Sequence, residues 1–380
     1  MSTPDPTPRR PLDAASSEPL HPRAREVLAA ALDQGWADPR RLHHEARRAR
    51  MLLDNAREAA AEALDVRADE VTFTTSGTDA VHRGLLGLHA VRRRTSPAVA
   101  HSAVEHSSVV HAARWTGDPL VEVPVTPTGE VLATAVAEAL ASAPAPAGVL
   151  AVQSANHEVG TVHDVAAAAE VAGDVPLFVD ACASLGRLPL PRGWAAAAGS
   201  SHKWGGPAGV GLLLVRKGAR WRNPFPGDDR ADERACGFEN VPAALAAAAA
   251  LQAMVQERQE TAARQHALVD RIREAAAALP DVEVVGDPVR RLPHLVTFSC
   301  LYLDGESLVT ELDRRGFGVA SGSACTSSTL TPSHVLAAMG ALTHGNLRVS
   351  LHQGTTEADV EAFLEALPEV VDELRGRITW

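Results

Sequence analysis

The sequence predicts an α/β protein, with a largely parallel sheet wrapped by helices and a smaller second module after it. Three observations predict this. Short apolar runs broken by Gly, Pro or Asn recur at 149–156 (VLAVQSAN), 177–184 (LFVDACAS) and 209–218 (GVGLLLVRKG), the pattern of buried strands. Between the first two, VAAAAEVAGD reads as a connecting helix, and such alternation belongs to sheets covered by helices. A long Ala-rich stretch from Pro242 to Leu279 then leads into new strand and helix signals. Its Leu, Met and Val recur at helical spacing, so it is read as one packed helix, with the domain change inside it, and not as low complexity.

Taken in order, residues 1–10 are rich in Pro, Thr and Arg and are expected to form a disordered tail. HPRAREVLAAALDQG and LHHEARRARMLLDNAREAAAEAL carry apolar residues at helical spacing, and EVTFTTSG follows as a short β-branched strand. Beyond the long helix come the strand and helix signals of a second module, LPHLVTFSC, ESLVTELDRRG and GVASGSAC. The expected division is a large domain over 11–255 and a smaller one over 256–380, the latter completed by part of the N-terminal segment.

Composition narrows the function. The chain has 380 residues, 46% hydrophobic and 22% charged, which is ordinary for a globular protein with real cores. Its 36 Lys and Arg stand against 47 Asp and Glu, a net charge of −11, so nucleic acid and anionic membrane are not expected as partners. No apolar run reaches the roughly 20 residues of a membrane helix, and the first residues lack the apolar core of a secretory signal. The four cysteines, Cys182, Cys236, Cys300 and Cys325, have neither metal nor disulfide-framework spacing. A cytoplasmic protein with free thiols and no metal is expected.

The chemistry concentrates in a few short segments. GSSHKWGGPAGVG (199–211) holds Lys203 in a Ser-Ser-His-Lys run ended by a Gly-Gly-Pro break, a stretch that presents one amine. Asp180 follows the apolar PLFV and precedes small residues, which puts a carboxylate at the C-terminal edge of a buried strand, where open α/β sheets bind ligands; the alternative is a helix N-cap. TTSGTDA (74–80) runs from strand to helix through Gly77 and Thr78, a turn whose N–H groups and hydroxyls suit a phosphate. His106 sits between small and apolar neighbours in VEHSSV, where a satisfied core histidine is the alternative. Arg348 lies in the strand-like NLRVSL; its alternative is a surface ion pair. Cys325, in SGSACTSS, has no apolar cover, which predicts a reactive thiol. A phosphate cup, a ring to stack, a carboxylate for a basic nitrogen and an imine-forming lysine are what pyridoxal phosphate needs.

These segments resemble the cysteine desulfurases, within the class V aminotransferase group of fold type I pyridoxal phosphate enzymes. The likeness runs from LDAASSEPLHPR through TSGTDA, VEHSSV, ANHEVGTV, FVDACASLGRLPL and SSHKWGGPAGVG to ASGSACTSSTLTPSHVLAAMG and LRVSL. It implies a mainly parallel seven-stranded sheet and a homodimer. It also implies that Lys203 bonds the cofactor aldehyde, that Asp180 pairs with the pyridine nitrogen, that His106 stacks on the ring, and that Gly77, Thr78, Ser200 and His202 hold the phosphate. Arg348 and His157 would meet the substrate, L-cysteine, and Cys325 would take its sulfur and pass it to an acceptor protein.

The chain departs from the family pattern at Ala183, where a glutamine is usual; at His157, in place of the second asparagine of Asn-Asn-Glu; at Phe238, in place of a threonine; and at Asp79, in place of a glutamate. Two other readings fit the same fold: a class V transaminase, lyase or epimerase acting on another amino acid, and a non-catalytic homologue that binds a partner. Cys325 speaks against the first and Lys203 against the second.

Overall fold

In the computed structural model the described residues are 8–227, 233–321 and 332–377. The chain begins with β1 (Arg10–Pro11), followed by helices α1 (Pro22–Leu32) and α2 (His44–Leu64). Of the expected tail over 1–10, residues 1–7 lie outside the described residues, while Arg10 pairs with Phe317 in a short parallel ladder.

The main sheet is built from β2 (Val71–Thr74), β3 (Ala98–Ser102), β4 (Leu120–Val123), β5 (Ala147–Ala151), β6 (Leu177–Asp180), β7 (Ala196–Ser200) and β8 (Gly211–Val215). Its order is β2-β8-β7-β6-β5-β3-β4, and only β8 runs against the others. Chain order runs outward to β4 from β3 and then back through β5, β6 and β7, so the direction switches between β3 and β5. The C-terminal edge at such a switch is the ligand-binding crevice of open α/β sheets. Helices α3 (Gly77–Arg92), α4 (Ser107–Trp115), α5 (Ala133–Ala141) and α6 (Val165–Ala172) connect the strands and cover the sheet.

β7 reads AAAGS, weak strand formers that are all buried. Packing explains them. A Cβ on Gly199 would sit 2.4 Å from Leu185 Cδ1 and 3.0 Å from the Trp204 ring. On α3, a Cβ on Gly84 would lie 2.4 Å from the Phe178 ring. The helix and the indole press so close to the sheet that only the smallest side chains fit beneath them.

After β8 comes α7 (Val241–Ala278), capped by Asn240 with Pro242 in its first turn. Its first half, Val241 to Met254, is buried in the apolar core under the main sheet. Its second half, from Leu268 to Ala276, belongs to a separate core with Leu12, Phe298 and Phe363. That second core is built from β9 (Val282–Val285), β10 (Leu295–Cys300), α8 (Gly305–Arg314), β11 (Phe317–Gly318), β12 (Asn346–Ser350) and α10 (Glu357–Gly376), with an antiparallel sheet ordered β12-β10-β9, while α9 (His334–Met339) packs its Val335, Leu336 and Met339 in a separate small cluster with Val104, Val159 and Val285. Among the described residues no helix is long and apolar enough to cross a membrane.

Candidate active site

Because β2, β3, β5, β6 and β7 all point the same way, their C-terminal ends bring distant residues to one rim. His106 follows β3, His157 follows β5, Asp180 ends β6, and Ser200, His202 and Lys203 follow from β7. Gly77 and Thr78 open α3 just past β2. Together with Arg348, which reaches over from β12, these residues line one cavity of about 200 Å³. Nine of the ten expected site residues are thus assembled; the tenth, Cys325, lies outside the described residues. The described residues on either side of it are held in place. Ala320 exchanges two backbone hydrogen bonds with Arg348, at 2.7 and 3.1 Å, and the Ser333 hydroxyl donates to Oε2 of Glu158 at 2.6 Å.

The α3 end of the cavity is a set of donors. Ser76 caps the helix, its hydroxyl accepting from the Asp79 N–H at 3.0 Å, which leaves the first-turn N–H groups of Gly77 and Thr78 without helical acceptors. Ser200 Oγ and His202 Nδ1 lie 3.2 Å apart beside them. A Cβ on Gly77 would come 2.6 Å from Ser200 Cβ and 3.2 Å from Cys182 Sγ, so the cradle exists only because residue 77 has no side chain.

Asp180 caps no α-helix. Its Oδ1 accepts the backbone N–H of Cys182 at 2.9 Å, a local turn that points the carboxylate along the rim. His106 is the N-cap of α4, its Nδ1 accepting from the Ser108 N–H at 3.1 Å. It is therefore a positioned cavity residue and not a core histidine. Burial lowers its pKa, and Lys203 and His334 lower it further against the pull of Asp180. Burial likewise lowers the pKa of His157 well below the usual value, helped by His106 and Arg348, and that of His202, helped by Lys203. All three imidazoles are neutral at pH 7. The amine of Lys203 donates to the carbonyl of Ala15.

Arg348 is buried, 4% exposed, so the alternative of a surface ion pair is corrected: its partners are internal. Nη2 donates to Asp13 Oδ1 at 2.9 Å and to Ser16 Oγ at 2.7 Å, and Nη1 donates to the carbonyl of His157 at 3.1 Å. Ser16 and Gln153 also line the cavity and went unremarked in the sequence. Gln153 carried the same signal as Asp180, a polar residue directly after an apolar run. Ser16 carried none.

The profile of the Aminotransferase class-V family matches residues 12–363. This chain belongs to the class-V aminotransferase family. Its relatives place it among that family's cysteine desulfurases. It is 36% identical to the IscS-like cysteine desulfurase of Mycobacterium tuberculosis, over 96% of both chains. It is 33% identical to a cysteine desulfurase of Cereibacter sphaeroides, again over 96% of both. The fold is that of the NifS-like protein from Rickettsia africae, with a TM-score of 0.85 at 24% identity, covering 96% of this chain and 99% of that one.

The cofactor of this class-V family is pyridoxal phosphate, and the residues at the rim fit it. The Gly77 cradle with its free N–H groups and flanking hydroxyl suits a phosphate. Asp180 offers an acceptor to a protonated ring nitrogen, and the lysine and the neutral His106 ring line the same cavity.

Proposed function

We propose that this chain removes the sulfur of L-cysteine, releasing L-alanine, and carries that sulfur as a persulfide on Cys325 to an acceptor protein. The observation that carries the reading is the convergence of Lys203, Asp180, His106 and Arg348 on one cavity. When bound, pyridoxal phosphate supplies an electron sink for the carbanion formed at the substrate Cα.

The side chains divide the remaining work. Gly77, Thr78, Ser200 and His202 would hold the phosphate. Asp180 would pair with the ring nitrogen and favour its protonated form, and His106, whose lowered pKa favours the uncharged imidazole, would lie against the ring. Lys203 would hold the cofactor through its aldehyde, and its amine would serve as the group that moves a proton at the substrate Cα. Arg348 binds the substrate carboxylate by charge-assisted hydrogen bonds, and His157 borders the substrate from the β5 side. The Cys325 thiolate attacks the substrate sulfur. An S–S bond forms as the Cβ–S bond breaks, and the electron pair stays with the carbon fragment, which takes up a proton to become alanine.

The division of the chain near residue 256 is supported by the two apolar cores that share α7. The net charge of −11 supports protein and small-molecule partners over nucleic acid or anionic membrane. The wide cysteine spacing supports a cytoplasmic location, and the exposed Phe238, 56% accessible, supports a homodimer. The deciding experiment incubates purified protein with L-cysteine and a thiol reductant and assays alanine and sulfide together. Equal amounts of both support the reading; alanine without sulfide, or neither, overturns it.

A further inference from the structure

Arg348 has five N–H bonds. Three are spent on fixed neighbours: one from Nη1 to His157, and two from Nη2, to Asp13 and Ser16. Nε is buried without a partner. A carboxylate gripped by two parallel bonds takes one edge of the guanidinium fork. The two edges are Nε with Nη2 and Nη1 with Nη2, so Nη2 belongs to both. Both of its hydrogens point at the N-terminal segment, and a substrate carboxylate gains a two-point grip only by displacing Asp13 or Ser16.

The two sides of this contact differ in freedom. Arg348 sits on β12, paired with β10, with its side chain 5% exposed. The Asp13 backbone is fixed beside Ser350, but its carboxylate is 32% exposed and can turn to water. The part that yields is the Asp13 side chain.

We propose that Asp13 is a specificity-determining residue: its carboxylate competes with the substrate carboxylate for Nη2 of Arg348, so that a ligand displaces it only by bringing a carboxylate of its own. An amine or thiol lacking that group leaves the Asp13–Arg348 pair closed. The inference rests on the reading of Arg348 as the substrate-carboxylate site.

The test measures binding of L-alanine and of ethylamine, which has no carboxylate, to the cofactor-loaded protein by calorimetry. Asp13→Asn keeps the shape and removes the competing charge, so L-alanine should bind about tenfold tighter, the scale of one charge-assisted hydrogen bond, while ethylamine binding stays unchanged. Ser16→Ala frees the other Nη2 hydrogen and should also tighten L-alanine. For L-cysteine turnover, KM should fall by a similar factor in Asp13→Asn with kcat little altered. Unchanged or weaker L-alanine binding in both variants would make the segment a support for Arg348 and overturn the proposal. If wild-type protein binds L-alanine no better than ethylamine, the assignment of Arg348 itself fails and Asp13 has nothing to compete with.

Discussion

The backbone N–H of Gln153 donates to Oε1 of Glu105 at 2.8 Å, beside the Ser102 hydroxyl, which donates to the same oxygen at 2.7 Å. Oε2 is buried with no partner. The carboxyl lies one residue before His106, behind the cavity wall. Burial raises its pKa from 4.5 to about 8, with Asp180 adding to the rise and the two donors opposing it.

This fixes a pH dependence of stability. Between about 4.5 and about 8 the native chain keeps a proton on Glu105 that the unfolded chain has released, so stability falls as pH rises through that window, by up to about 1.4 kcal/mol per pH unit. Glu105→Gln removes the titration and keeps an acceptor for both donors. Urea unfolding at about pH 5 and about pH 8 should show the variant gaining on wild type at the higher pH. Parallel pH profiles would mean that the native carboxyl is ionised.

A second prediction concerns Gly77. A methyl group there would crowd Ser200 Cβ at 2.6 Å and Cys182 Sγ at 3.2 Å, both at the edge of a packed sheet. Gly77→Ala should therefore reshape the phosphate cradle at a cost of about 1 to 3 kcal/mol, read as weaker pyridoxal phosphate retention on dialysis. Because Gly77 opens a helix whose cap is Ser76, far-UV circular dichroism should be unchanged. Full retention of the cofactor would remove the cradle from the phosphate site.

The long periodic elements were legible in the sequence because each carries its own pattern. α2, α7 and the apolar strands β6 and β8 fall within the stretches their spacing marked, while β5 is Ala147–Ala151 and overlaps only the start of the 149–156 run. β7 was not legible, since AAAGS favours helix by propensity and becomes a strand only where Gly84 and Gly199 let α3 and Trp204 close on the sheet. Lys203 and Asp180 announced themselves through local context, an amine in a glycine-bounded turn and a carboxylate after an apolar run. The partners of Arg348 did not. Asp13 and Ser16 lie more than 330 residues away in sequence, and only the alignment of the N-terminal segment along β12 brings them to the guanidinium.

The third prediction is spectroscopic. Lys203 follows the buried strand β7 and precedes the fully buried Trp204, so its backbone is held whatever its side chain. Lys203→Ala should fold normally and lose the visible absorption of the lysine-bound cofactor, and alanine formation should fall by about 10²- to 10⁴-fold or more, the range of a lost general acid–base group. An unchanged visible spectrum would assign the covalent bond to another amine.

The last prediction separates Cys325 from the thiols of Cys182 and Cys300. Cys182 lines the cavity and is the nearest rival, but burial raises its pKa well above the ordinary thiol value, and Asp180 raises it further. A thiol that stays protonated is a poor nucleophile. Cys300 is buried in the second core with its pKa pushed to about 11, which removes it on the same ground. Cys325→Ser should keep the visible absorption, since none of the cradle residues is altered, and should still respond spectrally to added L-cysteine. It should make almost no alanine, because a hydroxyl cannot accept the sulfur. Mass spectrometry of wild type after a cysteine pulse should find about 32 Da, one sulfur atom, on the peptide containing Cys325. The added mass should be absent from the serine variant and released from wild type by a reductant. Sulfur found on the Cys182 peptide, or alanine formed by Cys325→Ser at the wild-type rate, would transfer the nucleophile's role away from Cys325.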